Sequence, residues 1–213
     1  MLRDNPRDGI EILESAEVYR GAIWGIVRER FVFAGEELLR DYMQHMGAVA
    51  IVAVNDRDEI LTITQYRHAA SMDMVEIPAG LIDSLDEDPL DAAKRELKEE
   101  TGYEATEWSV LVDVYNSPGS STETLRIYLA RNLTSGDWRQ AELHGEEREI
   151  RRNFVPVNDA LRSVLQGEWQ SPSAVLGVLA FVASRDIPHR AADSSWAGRL
   201  NNLKRGRVFQ RRT

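Results

Sequence analysis

The chain has 213 residues, 43% apolar and 29% charged, which allows one sizeable core and argues against global disorder. Its net charge of −9 speaks against a general binder of nucleic acid or of anionic membrane surfaces. The absence of cysteine excludes disulfides, thiol catalysis, zinc–thiolate centres and iron–sulfur clusters. The charged stretch Met1–Arg20 has no apolar signal-like core, and no run is long enough for a membrane helix. The expectation is a cytoplasmic protein without a nucleic-acid or membrane partner.

Residues 10–45 carry short alternating runs, Ala22–Val27 and Arg30–Phe33, split by charged turns, which predicts a small N-terminal sheet. Gly47–Val54 is almost continuously apolar, as a strand covered on both faces would be. Asn55-Asp56-Arg57-Asp58 reads as a turn and Glu59–Tyr66 as the returning strand of a hairpin. Asp88–Glu100 is the clearest helix: an acidic N-cap, Pro89 at the first position, Gly102 as the stop, and Leu90, Ala93 and Leu97 as its buried stripe. Leu125–Ala130 and Ile150–Val157 read as strands, and Asn158–Leu165 and Ser171–Ser184 as two closing helices. The whole is a mixed α/β sandwich pattern, not a regular βαβ alternation. It divides into an N-terminal β element (1–45), a main domain (46–185) and a tail (186–213). The tail has seven basic side chains (Arg190, Arg199, Lys204, Arg205, Arg207, Arg211, Arg212) against Asp186 and Asp193, a net of +5. Poor in aliphatic residues, it is expected to fray or to pack on a partner.

The chemistry concentrates in the Asp88–Glu100 helix. Glu96 and Glu100 are four apart and stack on one face, with Glu99 beside them and Arg95 placed to pair with Glu99. Three glutamates in the last turns oppose the helix dipole, and a hard divalent cation would relieve that repulsion. Acidic helix faces are usually only solvated surface. Here the frame outweighs that reading: Gly80 stands 16 residues before Glu96, and Glu87 eight before Arg95.

Glu87, Arg95-Glu96-Leu97, Glu99-Glu100 and Gly102-Tyr103 resemble the Nudix box at the family spacing, with one extra residue between Gly80 and Glu87. The resemblance runs from about Gly21 to Ala183. It is closest to bacterial ADP-ribose pyrophosphatases of the actinobacterial type, through Gln65-Tyr66-Arg67, Glu76–Leu81 and Ser117-Pro118-Gly119 with Glu123. It implies a Nudix-type α/β/α sandwich with a mixed sheet and a small N-terminal antiparallel β element that dimerises. It also implies Mg²⁺- or Mn²⁺-dependent hydrolysis of ADP-ribose to AMP and ribose 5-phosphate. The alternatives are another nucleoside diphosphate sugar as substrate, or a sensor that binds without cleaving.

By the same resemblance Glu96, Glu99, Glu100 and the Ala79 carbonyl would hold the metal, and Arg95 would orient Glu99. Arg67 would meet phosphate, and Glu76 and Glu123 ribose hydroxyls or a second metal. Pro118 marks the substrate loop. Trp24 or Phe31 would stack the base, each competing with a packing role. The general base would come from the acidic loop at Glu147 or Glu146, with Glu149 a weaker choice and His144 a loop residue.

Overall fold

The computed structural model describes residues 2–136 and 145–210, the side chains of residues 146 and 147 excepted. Trp138 and His144, together with Arg211 and Arg212 of the tail, therefore lie outside the described residues, as do the side chains of Glu146 and Glu147. The chain separates into two compact units. One spans Ala48–Val114 and Leu125–Ser195; the other collects the residues up to Gly47, Tyr115–Thr124 and the segment from Trp196 onward.

In the larger unit, strand β4 (Ala48–Ala53) is the centre. Residues 49–53 are fully buried. Successive strand residues face opposite sides, and Ala50, Val52 and Val54 join a core with Ile127, Leu129, Val178 and Phe181. Helix α1 (Pro89–Thr101) and helix α3 (Pro172–Ala183) both pack on β4, so the strand is covered twice, as its unbroken apolar run requires. Gly177 lets α3 come close, since a Cβ there would lie 2.8 Å from Val52 and 2.9 Å from Ile77. The sheet is mixed. β4 runs parallel to β9 (Thr124–Ser135) and antiparallel to β7 (Ala79–Leu81), while β8 (Tyr103–Tyr115) and the short β11 (Arg190–Ala191) complete it.

Glu59–Arg67 (β5) is a strand as expected, but it does not return along β4. It joins a second sheet between β6 (Met72–Glu76) and β10 (Arg151–Pro156), and the expected hairpin is reduced to the Val54–Ile60 bridge and the Asn55 N–Glu59 O bond at the turn. The turn itself is local chemistry: Asn55 Oδ1 accepts from the amides of Arg57 and Glu59, and Asp58 takes a left-handed φ of 59°. Helix α2 (Val157–Leu165) and α3 close the core with Val157, Ala160, Val164 and Trp169. Among the described residues no helix is long and apolar enough to cross a membrane.

Helix α1 begins and ends as its residues dictate. Asp88 Oδ1 accepts from Leu90 N at 2.8 Å, Pro89 occupies the first turn, and Gly102, at φ 70°, sends its amide to Lys98 O. Its buried face is Ala92, Ala93, Leu97, Glu100 and Thr101, with Leu90 only half-buried.

The smaller unit is an antiparallel meander of β1 (Glu11–Arg20), β2 (Trp24–Phe33) and β3 (Glu36–His45). The tail is not frayed here. Residues 197–204 form helix α4, and Trp196, Arg199, Asn202 and Phe209 are buried. Phe209 fits against Gly25, where a Cβ would stand 3.2 Å from its ring, and Arg20 lies over that ring while donating to Gln210 O. Phe209→Ala is expected to lower stability by about 3 kcal/mol, as for a buried aromatic. Urea denaturation checks it: an unchanged midpoint would mean that the tail is frayed in solution.

Candidate active site

Gly80 lies in β7, where a Cβ would collide with the Glu96 carboxylate. The demand is for space, because Gly80 has no left-handed φ. Strand β7 thereby approaches the face of α1 that carries the glutamates. Glu100, 4% exposed, accepts the Ala79 amide at 3.0 Å and ties the last turn of the helix to the same strand.

Arg95 binds the surroundings together. Its Nε donates to Glu87 Oε1 at 3.1 Å. One terminal nitrogen reaches Glu96 Oε1 at 2.6 Å and Glu99 Oε2 at 3.3 Å; the other reaches the Leu81 carbonyl at 3.1 Å. Asp83 stands 3.3 Å away. Glu87 also accepts the Asp83 amide at 2.6 Å, so it clasps the loop with the extra residue onto the helix.

Burial pushes the Glu96 carboxyl up to about 7; the Arg95 guanidinium opposes this, while Glu99 and Asp83 add repulsion. Arg95, although its own burial works the other way, is held above the ordinary guanidinium range by Glu96 and Glu87. One arginine therefore does not neutralise this site. Among the described residues no three acidic or histidine side chains converge as a ready-made cage, since Arg95 engages Glu96 and Glu99. The donor set still fits a hard divalent ion: the partly buried Glu96 and the buried Glu100 both face β7, at Gly80 and at Ala79, with Glu99 at the exposed rim.

A second cluster lies on the β5–β6 pair. Arg67 makes a bidentate bond to the buried Glu76, at 2.9 and 2.6 Å, and Gln65 Nε2 donates to Glu76 at 3.3 Å. The 3₁₀ turn Gly145–Glu149 packs on β5 and brings the backbone of Glu146 and Glu147 there. A cavity of about 310 Å³ lies beside it, bounded by Gln65, Asp73, Glu149 and Arg151.

The remaining candidates belong to the smaller unit. Pro118 sits at an exposed tip closed by the Ser120 and Ser121 amides on Ser117 O. With Phe31, Phe33, Tyr42 and Arg207 it lines a cavity of about 640 Å³. Glu123 is half-buried, its amide on Ser121 Oγ, and is not among the lining residues. Neither is Trp24, whose ring packs on Tyr19 at 5.6 Å. Sequence reasoning gave no role to Gln65 or Asp83. A glutamine inside an apolar strand is the signal for the first; nothing local marks the second.

Residues 44–175 match the NUDIX domain, and the chain belongs to the NUDIX family. It is 38% identical over 192 residues to the ADP-ribose pyrophosphatase of Mycobacterium tuberculosis, covering 89% of this chain and 92% of that one. It is 39% identical over 156 residues to the methanol dehydrogenase activator of Bacillus methanolicus, covering 73% and 83%. A solved structure described as an ADP compounds hydrolase shares the fold with a TM-score of 0.70 at 23% identity, over 84% of this chain and 96% of that one. The expected mixed α/β architecture is thus that of a known hydrolase.

Gly80→Ala is expected to displace the Glu96 carboxylate and weaken Mn²⁺ binding by about tenfold or more, as loss of one charged ligand contact would. Isothermal titration measures this; unchanged affinity would remove Glu96 from the ligand set.

Proposed function

We propose that this chain hydrolyses the diphosphate bond of ADP-ribose to AMP and ribose 5-phosphate, as a cytoplasmic homodimer that uses Mg²⁺ or Mn²⁺. The observation that carries the chemistry is two carboxylates of α1 held against β7: Glu96, packed on Gly80 and bound by Arg95, and the buried Glu100, which accepts the Ala79 amide. The substrate follows from the near full-length likeness to a mycobacterial ADP-ribose pyrophosphatase.

A divalent ion held by Glu96 and Glu100, with Glu99 and the Ala79 carbonyl as further ligands, would offset diphosphate charge and acidify a water. The chain's own residues do the rest. Arg95 holds Glu96 and Glu99 in register, and Glu87 fixes the loop beneath them. Glu147, or failing it Glu146, accepts the proton as water oxygen bonds to phosphorus and the bridging oxygen leaves with the other product. Arg67 offers its guanidinium to phosphate, oriented by Glu76. Pro118 and Phe31 receive the nucleoside in the cavity of about 640 Å³, a size ordinary for such ligands. Dimerisation is supported by β1, an edge strand exposed along its whole length that shows Ile12, Leu13, Val18 and Tyr19 to solvent.

A likeness of 29% over 143 residues to the GDP-mannose pyrophosphatase of Citrobacter koseri favours a second reading, another nucleoside diphosphate sugar as substrate. A binding-only sensor is disfavoured, because Arg95, Glu96, Glu99 and Glu100 are all present and assembled.

A Mg²⁺-dependent hydrolysis panel of ADP-ribose, sugar nucleotides, diadenosine polyphosphates and NADH decides among these. ADP-ribose is expected to be the best substrate, and EDTA to abolish turnover. Tight ADP-ribose binding without cleavage would overturn the proposal. Glu96→Gln and Glu100→Gln should each lower kcat by about 100-fold or more while the protein stays folded by circular dichroism. Full activity in either would sink the metal assignment.

A further inference from the structure

The tail does more than fill space. Asn202, on α4, is 6% exposed and faces the Tyr115–Thr124 segment that carries Pro118. Its Nδ2 donates to the Thr122 carbonyl at 2.7 Å, and its Oδ1 accepts from the Tyr115 hydroxyl at 3.3 Å. One side-chain amide therefore joins both limbs of the segment. One turn earlier, the Gly198 carbonyl also receives the Tyr115 hydroxyl, at 3.1 Å. A Cβ on Gly198 would stand 3.2 Å from both the Tyr115 ring and the Thr124 methyl. Helix α4 is thus seated as closely as its backbone permits.

The other side of the segment is held by β3. Thr122 N donates to Met43 O, Met43 N to Ser120 O, and His45 N to Thr122 Oγ1. The base is gripped from two directions, whereas Ser117–Ser120 at the tip is exposed. An exposed tip on a fixed base is an arrangement that presents a side chain in a set place.

We propose that Asn202 is a positioning residue for substrate recognition: it fixes the base of the Ser117–Thr122 loop and so the placement of Pro118. Its effect falls on affinity and on discrimination among nucleoside diphosphate sugars, not on the hydrolytic step. This inference rests on the reading that the loop meets the substrate.

The test uses the full chain with Asn202→Ala and Asn202→Asp; the latter keeps the acceptor for Tyr115 but cannot donate to Thr122 O. KM for ADP-ribose should rise about fivefold in both, as for a lost buried hydrogen bond, with kcat within about twofold. Preference over other sugar nucleotides should narrow. Hydrogen–deuterium exchange of the Ser120, Ser121 and Thr122 amides should speed up. If Asn202→Ala fails to fold, Tyr115→Phe carries the test with a smaller rise of the same sign. Unchanged KM with unchanged exchange would overturn the brace itself. A fall in kcat at constant KM would reduce Asn202 to a structural role. Faster exchange with KM unchanged, in these variants and in Pro118→Ala, would also overturn the proposal and would place the failure in the loop's assignment to substrate.

Discussion

The approach of the Glu96 carboxylate to Gly80 is the constraint on which the site depends. Carboxylates at the C-terminal end of a helix oppose its dipole, and burial makes each of them more costly. Here Glu96 and Glu100 are both placed so, on the last turns of α1 and against β7. The arrangement survives because Arg95 spans Glu87, Glu96, Glu99 and the Leu81 carbonyl, and because glycine leaves the room. The remaining strain is electrostatic, seen in a Glu96 carboxyl that burial lifts to about 7. On the proposed reading, a bound cation offsets this electrostatic cost.

The net charge of −9 takes on a local meaning in this light. Part of it is concentrated on Glu96, Glu99 and Glu100, the carboxylates proposed to hold the cation. Among the described residues of the basic tail, Arg207 is committed to Glu29, Arg205 to Asp8 and Asn201, Arg199 to the Met46 carbonyl and Arg190 to Asp113. These four positive charges are already engaged within the protein.

Helix α1 was legible because its signals are local: Asp88 and Pro89 start it, Gly102 stops it, and four-residue spacing stacks Glu96 on Glu100. What spacing does not carry is burial. Nothing in the sequence near Glu96 states that β7 will cover it. The partner of a strand is likewise a tertiary choice. The Asn55–Asp58 turn formed as its residues require, yet β5 crossed to another sheet after one bridge, because β7 and β9 take up both hydrogen-bonding edges of β4. The lack of aliphatics in the tail suggests an extension that frays or packs on a partner. Its order rests on few residues, Trp196, Asn202 and Phe209, and averaged composition does not show them. Pro118 could be picked out by motif, but the base that holds its loop comes from residues some eighty positions later in the chain.

If Glu96 and Glu100 hold a cation beside Gly80, anomalous diffraction from crystals soaked in Mn²⁺ will show it. The expected result is a peak within coordinating distance of both carboxylates, with Arg95 withdrawn from Glu96. Full-occupancy peaks elsewhere, with Glu96 still bound to Arg95, would contradict it.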